Sequence, residues 1–185
     1  GEFFVGGVGG ISLGGDVYSN GQDITFSQPV SLTKTVQVNS GSTSAGNVLF
    51  ANTINGAYGL TAVAGTGDIT FSGIVGGTSS LTSFSASGND VSLPSIGDSD
   101  TVGVSGVTSL EASNELTLSG DTYKTNAATY TSGSGQKIKL TVGSDVTFNS
   151  NSQNVEFATG DILLSDGSNL IVNAAAISTE GIRGS

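Results

Sequence analysis

The amino-acid sequence predicts an all-β protein, a right-handed parallel β-helix (β-solenoid) of about eight coils of 21–25 residues each. Three observations lead to this fold class. A short strand-like motif recurs at a nearly constant interval, glycine is abundant at 29 of 185 residues, and the apolar spacing of helices is almost missing. Parallel crossovers are right-handed in about 98% of proteins, which predicts the handedness.

The repeated motif is a tetrapeptide with a polar first residue and apolar residues at its second and fourth positions. Its seven copies begin at residues 23, 47, 68, 90, 115, 137 and 161, at intervals of 24, 21, 22, 25, 22 and 24 residues. Such a period is typical of solenoids, in which each repeat buries its apolar face against its neighbours. Because strand side chains alternate between two faces, the fourth positions should form one inward column. The predicted column comprises Phe26, Phe50, Phe71, Leu93, Leu118, Leu140 and Leu163 or Leu164.

The similarity extends beyond the tetrapeptide. Sliding residues 46–63 forward by 21 positions aligns Phe50 with Phe71 and Leu60 with Leu81. We therefore expect each unit to contain a short strand, a glycine-rich corner and a second short strand. The length suits a single domain spanning residues 1–185. Residues 1–3 and 184–185 resemble cloning remnants, so we expect a fragment of a larger surface protein.

Composition excludes several functions. The net charge of −10 argues against nucleic acid and anionic membrane surfaces, which need basic residues. The chain has no His and no Cys, which excludes disulfides, thiol or serine–histidine catalysis and the usual zinc ligands. No stretch is long and apolar enough for a transmembrane helix. We expect no cofactor and no metal site.

Carboxylates are the remaining catalytic candidates. Asp98 with Asp100, and Asp161 with Asp166, could serve as the carboxylate pair of a carbohydrate-active β-helix enzyme. These residues also lie beside glycine and serine, where Asp commonly stabilises turns. We favour the turn, and keep the enzyme as the alternative function.

The first position of the tetrapeptide raises a separate question about cations. In register, Asp68, Asp90 and Glu115 would stack at about the 4.8 Å strand spacing, where like charges repel. A cation could bridge them. Alternatively, the carboxylates splay into water at a corner, relieved by Asn47 and Lys137 in the same column, and we favour this second arrangement.

Two irregular stretches are candidate binding loops. Extra residues in a solenoid coil must leave the stack, and loops on rigid scaffolds often carry recognition. Gly97–Gly106 lies in a 25-residue coil, and Thr122–Gln136 is rich in Thr, Ser and Gly. In the second loop, Tyr123 and Tyr130 are the aromatic residues able to anchor a contact. The alternative is that both loops are solvated connections with no binding role. An exposed strand face is the other predicted mode of binding.

The repeats resemble those of giant bacterial surface proteins. Gly67-Asp68-Ile69-Thr70-Phe71-Ser72-Gly73 and Gly88-Asn89-Asp90-Val91-Ser92-Leu93 are similar to units of filamentous-haemagglutinin-like adhesins and autotransporter passengers. The resemblance covers roughly residues 14–175. It implies a right-handed parallel β-helix, secretion across an outer membrane to the bacterial cell surface, and a role as adhesin or stalk. We expect the segment to have no catalytic activity of its own. The implied partners are a host-cell receptor or glycan, or neighbouring solenoid segments of the same protein.

Overall fold

A computed structural model describes residues 3–41, 43 and 46–184, and these form a parallel β-solenoid of about seven turns. The predicted fold class is confirmed, and the coil number is close to the eight expected. The described residues contain no helix, and their strands pair in parallel throughout. Right-handedness stays a prediction.

The repeated tetrapeptides form the longest sheet, here named sheet A. Its strands alternate buried residues with half-exposed Thr, Ser or Lys, because a strand presents successive side chains to opposite faces. Sheet A contains, in spatial order, β1 (Phe3–Val5), β4 (Ile24–Phe26), β7 (Val48–Phe50), β10 (Ile69–Phe71), β12 (Val91–Leu93), β14 (Leu116–Leu118), β17 (Lys137–Leu140), β20 (Asp161–Leu164) and β23 (Ile182–Gly184).

A second sheet, sheet C, holds the longer strands of each coil. Leu60, Phe84 and Leu110 point inward from it, and small hydroxyl side chains point outward between them. Sheet C contains β3 (Val17–Tyr18), β6 (Val36–Asn39), β9 (Gly59–Val63), β11 (Ser83–Gly88), β13 (Thr108–Ala112), β16 (Ala128–Thr131), β19 (Asn154–Thr159) and β22 (Ala176–Thr179).

The third side of the solenoid, side B, was not predicted. It consists of two three-stranded sheets joined through single bridging residues, Val75 and Ile96, in the middle coils. Each coil therefore has three strand segments where the sequence predicted two, because one or two residues are too few to display a period. The two sheets contain β2 (Ile11–Leu13), β5 (Val30–Leu32) and β8 (Ile54–Asn55), and then β15 (Thr122–Lys124), β18 (Val146–Asn149) and β21 (Leu170–Asn173).

The core is a stack of apolar rungs. The predicted inward column is confirmed, with Leu164 rather than Leu163 as the register partner of Leu140. Phe26 stacks on Phe50 with ring centroids 4.7 Å apart, and Phe50 stacks on Phe71 at 5.2 Å. These three rings are at most 3% exposed. Each coil thus buries its rung only because the next coil covers it.

Candidate binding surfaces

The two predicted anchor residues lie inside the solenoid. Tyr123 is 1% exposed and Tyr130 is fully buried. Tyr123 stacks on Phe148 with centroids 4.7 Å apart, and Tyr130 stacks on Phe157 at 5.5 Å. The prediction that they project from a loop is therefore wrong, since Tyr123 lies in β15 and Tyr130 lies in β16. Neither ring is available for a surface contact.

The Tyr123 hydroxyl is engaged within the solenoid as well. The Tyr123 hydroxyl accepts a hydrogen bond from the Gly120 amide at 3.0 Å and donates to the Pro94 carbonyl at 2.5 Å. Burial raises the pKa of both the Tyr123 and Tyr130 hydroxyls, because the charged phenolate loses its hydration. The alternation Ala128-Thr129-Tyr130-Thr131 contained the signal, since outward Thr residues at period two require an inward Tyr.

The other predicted loop does leave the stack, but it is built as a turn. Ile96 and Val104 bridge to neighbouring coils, so the excursion is confined to residues 97–103. Asp98 accepts hydrogen bonds from the amides of Asp100 and Thr101, at 2.9 and 2.7 Å. These bonds hold the pKa of the Asp98 carboxyl below its usual value. A glycosidase acid needs a raised pKa, so Asp98 is poorly suited to that role.

The second candidate carboxylate pair is likewise occupied by structural roles. The Asp161 carboxylate lies 3.5 Å from the Lys137 ammonium in the neighbouring coil. Asp166 is exposed in a turn that is closed by the Ser168 amide donating to the Ser165 carbonyl at 3.2 Å. Gly167 follows Asp166 with a φ of 78°, a backbone conformation that glycine adopts readily.

The acidic column works as a ladder of hydrogen-bond acceptors. An Asp23 oxygen accepts the Asn47 amide at 2.7 Å, and the Asn47 side chain accepts the Asp68 amide at 2.9 Å. Asp68 accepts the amide of Asp90 at 3.1 Å, and Asp90 accepts that of Glu115 at 3.0 Å. Asp68 and Asp90 each accept a second bond from an Asn side chain of the next coil, at 3.0 and 2.7 Å. Each side chain therefore adds at least one bond between successive coils.

This ladder differs from the favoured arrangement, in which the carboxylates splay into water. The Asp68 and Asp90 carboxylates each bind the backbone amide of the next coil through one oxygen. Further along, Glu115 forms an ion pair with Lys139. No three acidic side chains converge as a metal site anywhere in residues 3–41, 43 and 46–184.

The outer face of sheet C is rich in hydroxyl side chains. In the register of β9, β11, β13 and β16, Thr61, Ser85, Ser109 and Thr129 form one row. A second row carries Ser87 and Thr131, with the exposed Glu111 between them. All six side chains are half-exposed, and none hydrogen-bonds to another described residue. We name these residues the hydroxyl face: Thr61, Ser85, Ser87, Ser109, Thr129 and Thr131.

An exposed tyrosine stands at one end of this sheet. Tyr18 in β3 is 60% exposed and pairs in register with Asn39, which continues the second row. Sequence reasoning missed Tyr18, because a two-residue strand carries too little pattern to orient its side chain. Tyr58 is the other exposed tyrosine, at 41%, and precedes β9 at a corner.

Comparisons with known proteins do not assign the chain to a family. No family model, no curated protein and no solved structure matches the chain. Among the residues that the structure describes, none belongs to a helix with the length and apolarity needed to cross a membrane.

Proposed function

We propose that the chain is a non-catalytic segment of a bacterial secreted or cell-surface solenoid protein, of the adhesin or autotransporter-passenger type. The single observation that carries this proposal is the continuous stack of coils with a hydroxyl-rich outer face. Such an arrangement offers a long, rigid surface, and repeat proteins commonly bind through extended surfaces of this kind.

The use of the carboxylates supports a structural role over an enzymatic one. Asp68 and Asp90 are acceptors for backbone amides, and Asp98 closes a turn. These hydrogen bonds hold each carboxylate in a fixed position, which favours a structural role. No observation favours the carbohydrate-active alternative, which would need a carboxylate poised to give up a proton.

The apolar surface formed by the last strands of the described stack supports a neighbouring solenoid segment as the binding partner. Ile177 and Ile182 lie in register with the buried Val155 and Ile162, yet they are 51% and 53% exposed. They line, with Phe157, Ile162 and Leu164, an open cavity of about 410 Å³. Apolar rungs and unpaired strand edges of this kind are what another coil of the same protein would cover.

An adhesion assay tests the proposal. Beads coated with the purified protein should bind host cells more than beads coated with heat-unfolded protein, because binding requires the folded faces. Host glycans incubated with the protein should be recovered intact. Equal binding by folded and unfolded protein would contradict the adhesin role, and measurable glycan cleavage would contradict the non-catalytic one.

Surface display provides the second test. Joined to an outer-membrane transporter in a bacterial host, the segment should reach the outer surface, where added protease removes it from intact cells. Retention inside the cell, protected from protease, would contradict the proposed localisation.

A further inference from the structure

The exposed Tyr18 borders a depression on the outside of the first two coils. Tyr18, Asn20, Asn39 and Gly41 line this depression, which has a volume of about 230 Å³. We name it the Tyr18 depression. It combines one aromatic ring with amide side chains and a backbone segment, the mixture of one apolar surface and a few polar groups that small-ligand sites use.

The ring is held in place before any ligand arrives. The Tyr18 hydroxyl donates to the Gln37 Oε1 at 2.9 Å, and the Gln37 amide donates to Asp16 Oδ1 at 2.8 Å. Asn39 Oδ1 accepts the Gly41 amide at 2.8 Å, which leaves the Asn39 Nδ2 group as a donor. A ring and an amide fixed in this way lose little conformational freedom on binding.

The Tyr18 depression continues into the outer face of sheet C, along the axis of the solenoid. Asn39 lies in the row that leads to Ser87 and Thr131 of the hydroxyl face. Successive residues of this row belong to successive coils and lie about 4.8 Å apart, the distance between neighbouring strands. In this row Glu111 is the one charged residue, and the adjacent row, from Gln37 to Thr129, has none. The Asp16 carboxylate lies 3.5 Å from the Tyr18 hydroxyl, so both charged groups beside this path are acidic. The surface therefore suits an elongated ligand that is rich in hydroxyl groups and carries no negative charge.

We propose that the Tyr18 depression is a subsite for a neutral saccharide, whose chain continues over the hydroxyl face. The apolar face of a sugar ring would stack on Tyr18, since a tyrosine ring offers apolar area beside a polar tip. Asn20 and Asn39 would bind its hydroxyls. This inference rests on the proposed adhesin function and names its ligand class.

Direct binding to a glycan array tests the subsite. The probes are immobilised oligosaccharides ending in neutral hexoses or N-acetylhexosamines, and the variants are Tyr18→Ala, Tyr18→Phe and the matched control Tyr58→Ala. We expect Tyr18→Ala to weaken binding about tenfold, as loss of a central aromatic contact does. Tyr18→Phe should lose less, because it keeps the ring, and Tyr58→Ala should bind as the unmodified chain does.

Three results would overturn the subsite. They are the absence of binding to every neutral oligosaccharide, equal binding by Tyr18→Ala and Tyr58→Ala, and binding that falls steeply between about 0.05 and 0.5 M salt. The last result, with capture of a lysine-rich peptide through Tyr18, would indicate a cationic partner. Cell adhesion by the same preparations is read separately, so the adhesin function can stand when the subsite fails.

Discussion

Replacing Phe71 by alanine tests how far one rung depends on its neighbours. Phe71 is 3% exposed, its ring stacks on Phe50 at 5.2 Å, and it meets Phe84 edge-on at 5.2 Å. A buried Phe→Ala change typically costs about 3–5 kcal/mol. Because two aromatic contacts are lost together, each worth about 0.5–1.5 kcal/mol, we expect about 4–5 kcal/mol.

The expected loss converts to a melting temperature. For a domain of this size, 1 kcal/mol lowers Tm by about 2–4 °C, so Phe71→Ala should melt about 8–20 °C lower. The matched control is Thr70→Ala in the same strand, where the side chain is half-exposed on the outer face of sheet A. That change should stay within about 0.5 kcal/mol of the unmodified chain.

Amide hydrogen exchange locates the damage. Each coil contacts only the coils on either side of it. The protection of backbone amides from exchange should therefore fall mainly in the coils that carry Phe50 and Leu93. An unchanged Tm for Phe71→Ala, or a loss equal to that of Thr70→Ala, would refute the inward column. Loss of protection confined to distant coils would refute nearest-neighbour stacking.

Three further predictions concern the polar groups. Asp90→Ala removes the acceptor of the Glu115 amide and should lower the free energy of unfolding, measured by urea denaturation, by about 1–3 kcal/mol. Asp90→Asn keeps an acceptor and should lower it less. Equal losses for the two variants would contradict the role of Asp90 as an acceptor between coils. Lys139→Gln should change the free energy of unfolding by less than about 1 kcal/mol, since its ion pair with Glu115 is half-exposed. A larger loss would contradict the weak contribution expected of an ion pair at the surface. Burial raises the pKa of Tyr123 and Tyr130 above the ordinary value near 10, so their stabilising contribution is complete below that pH and is lost as the pH rises above it. In an ultraviolet titration both should ionise only as the protein unfolds, and ionisation in the folded protein would contradict their burial.

The period of the sequence was enough to predict the main sheet. Each tetrapeptide contains a full alternation, so the sequence alone assigns Phe26, Phe50 and Phe71 to one inward column, which the strand register confirms. Side B could not be predicted in the same way. Val75 and Ile96 are single bridging residues, and one residue has no period.

The polar surface was harder to predict, because it depends on register. The recurrence of Asp68 and Asp90 was visible in the sequence, but their hydrogen bonds require the exact offset between successive coils. Tyr123 and Tyr130 were misplaced because tyrosine is amphipathic, and its location follows from strand parity rather than from residue type. Tyr18 became a candidate only when neighbouring coils brought Asn39 beside it.

Cysteine cross-linking tests the central claim, the parallel stacking of the tetrapeptides, most directly. The chain has no Cys, and Thr70 pairs with Ser92 in register on the outer face of sheet A. Thr70→Cys with Ser92→Cys should oxidise readily, since adjacent strands lie about 4.8 Å apart, within disulfide reach. The control, Thr70→Cys with Thr117→Cys, places the thiols two coils apart and should stay reduced. Equal oxidation of the two pairs, or oxidation of the control alone, would contradict the stack.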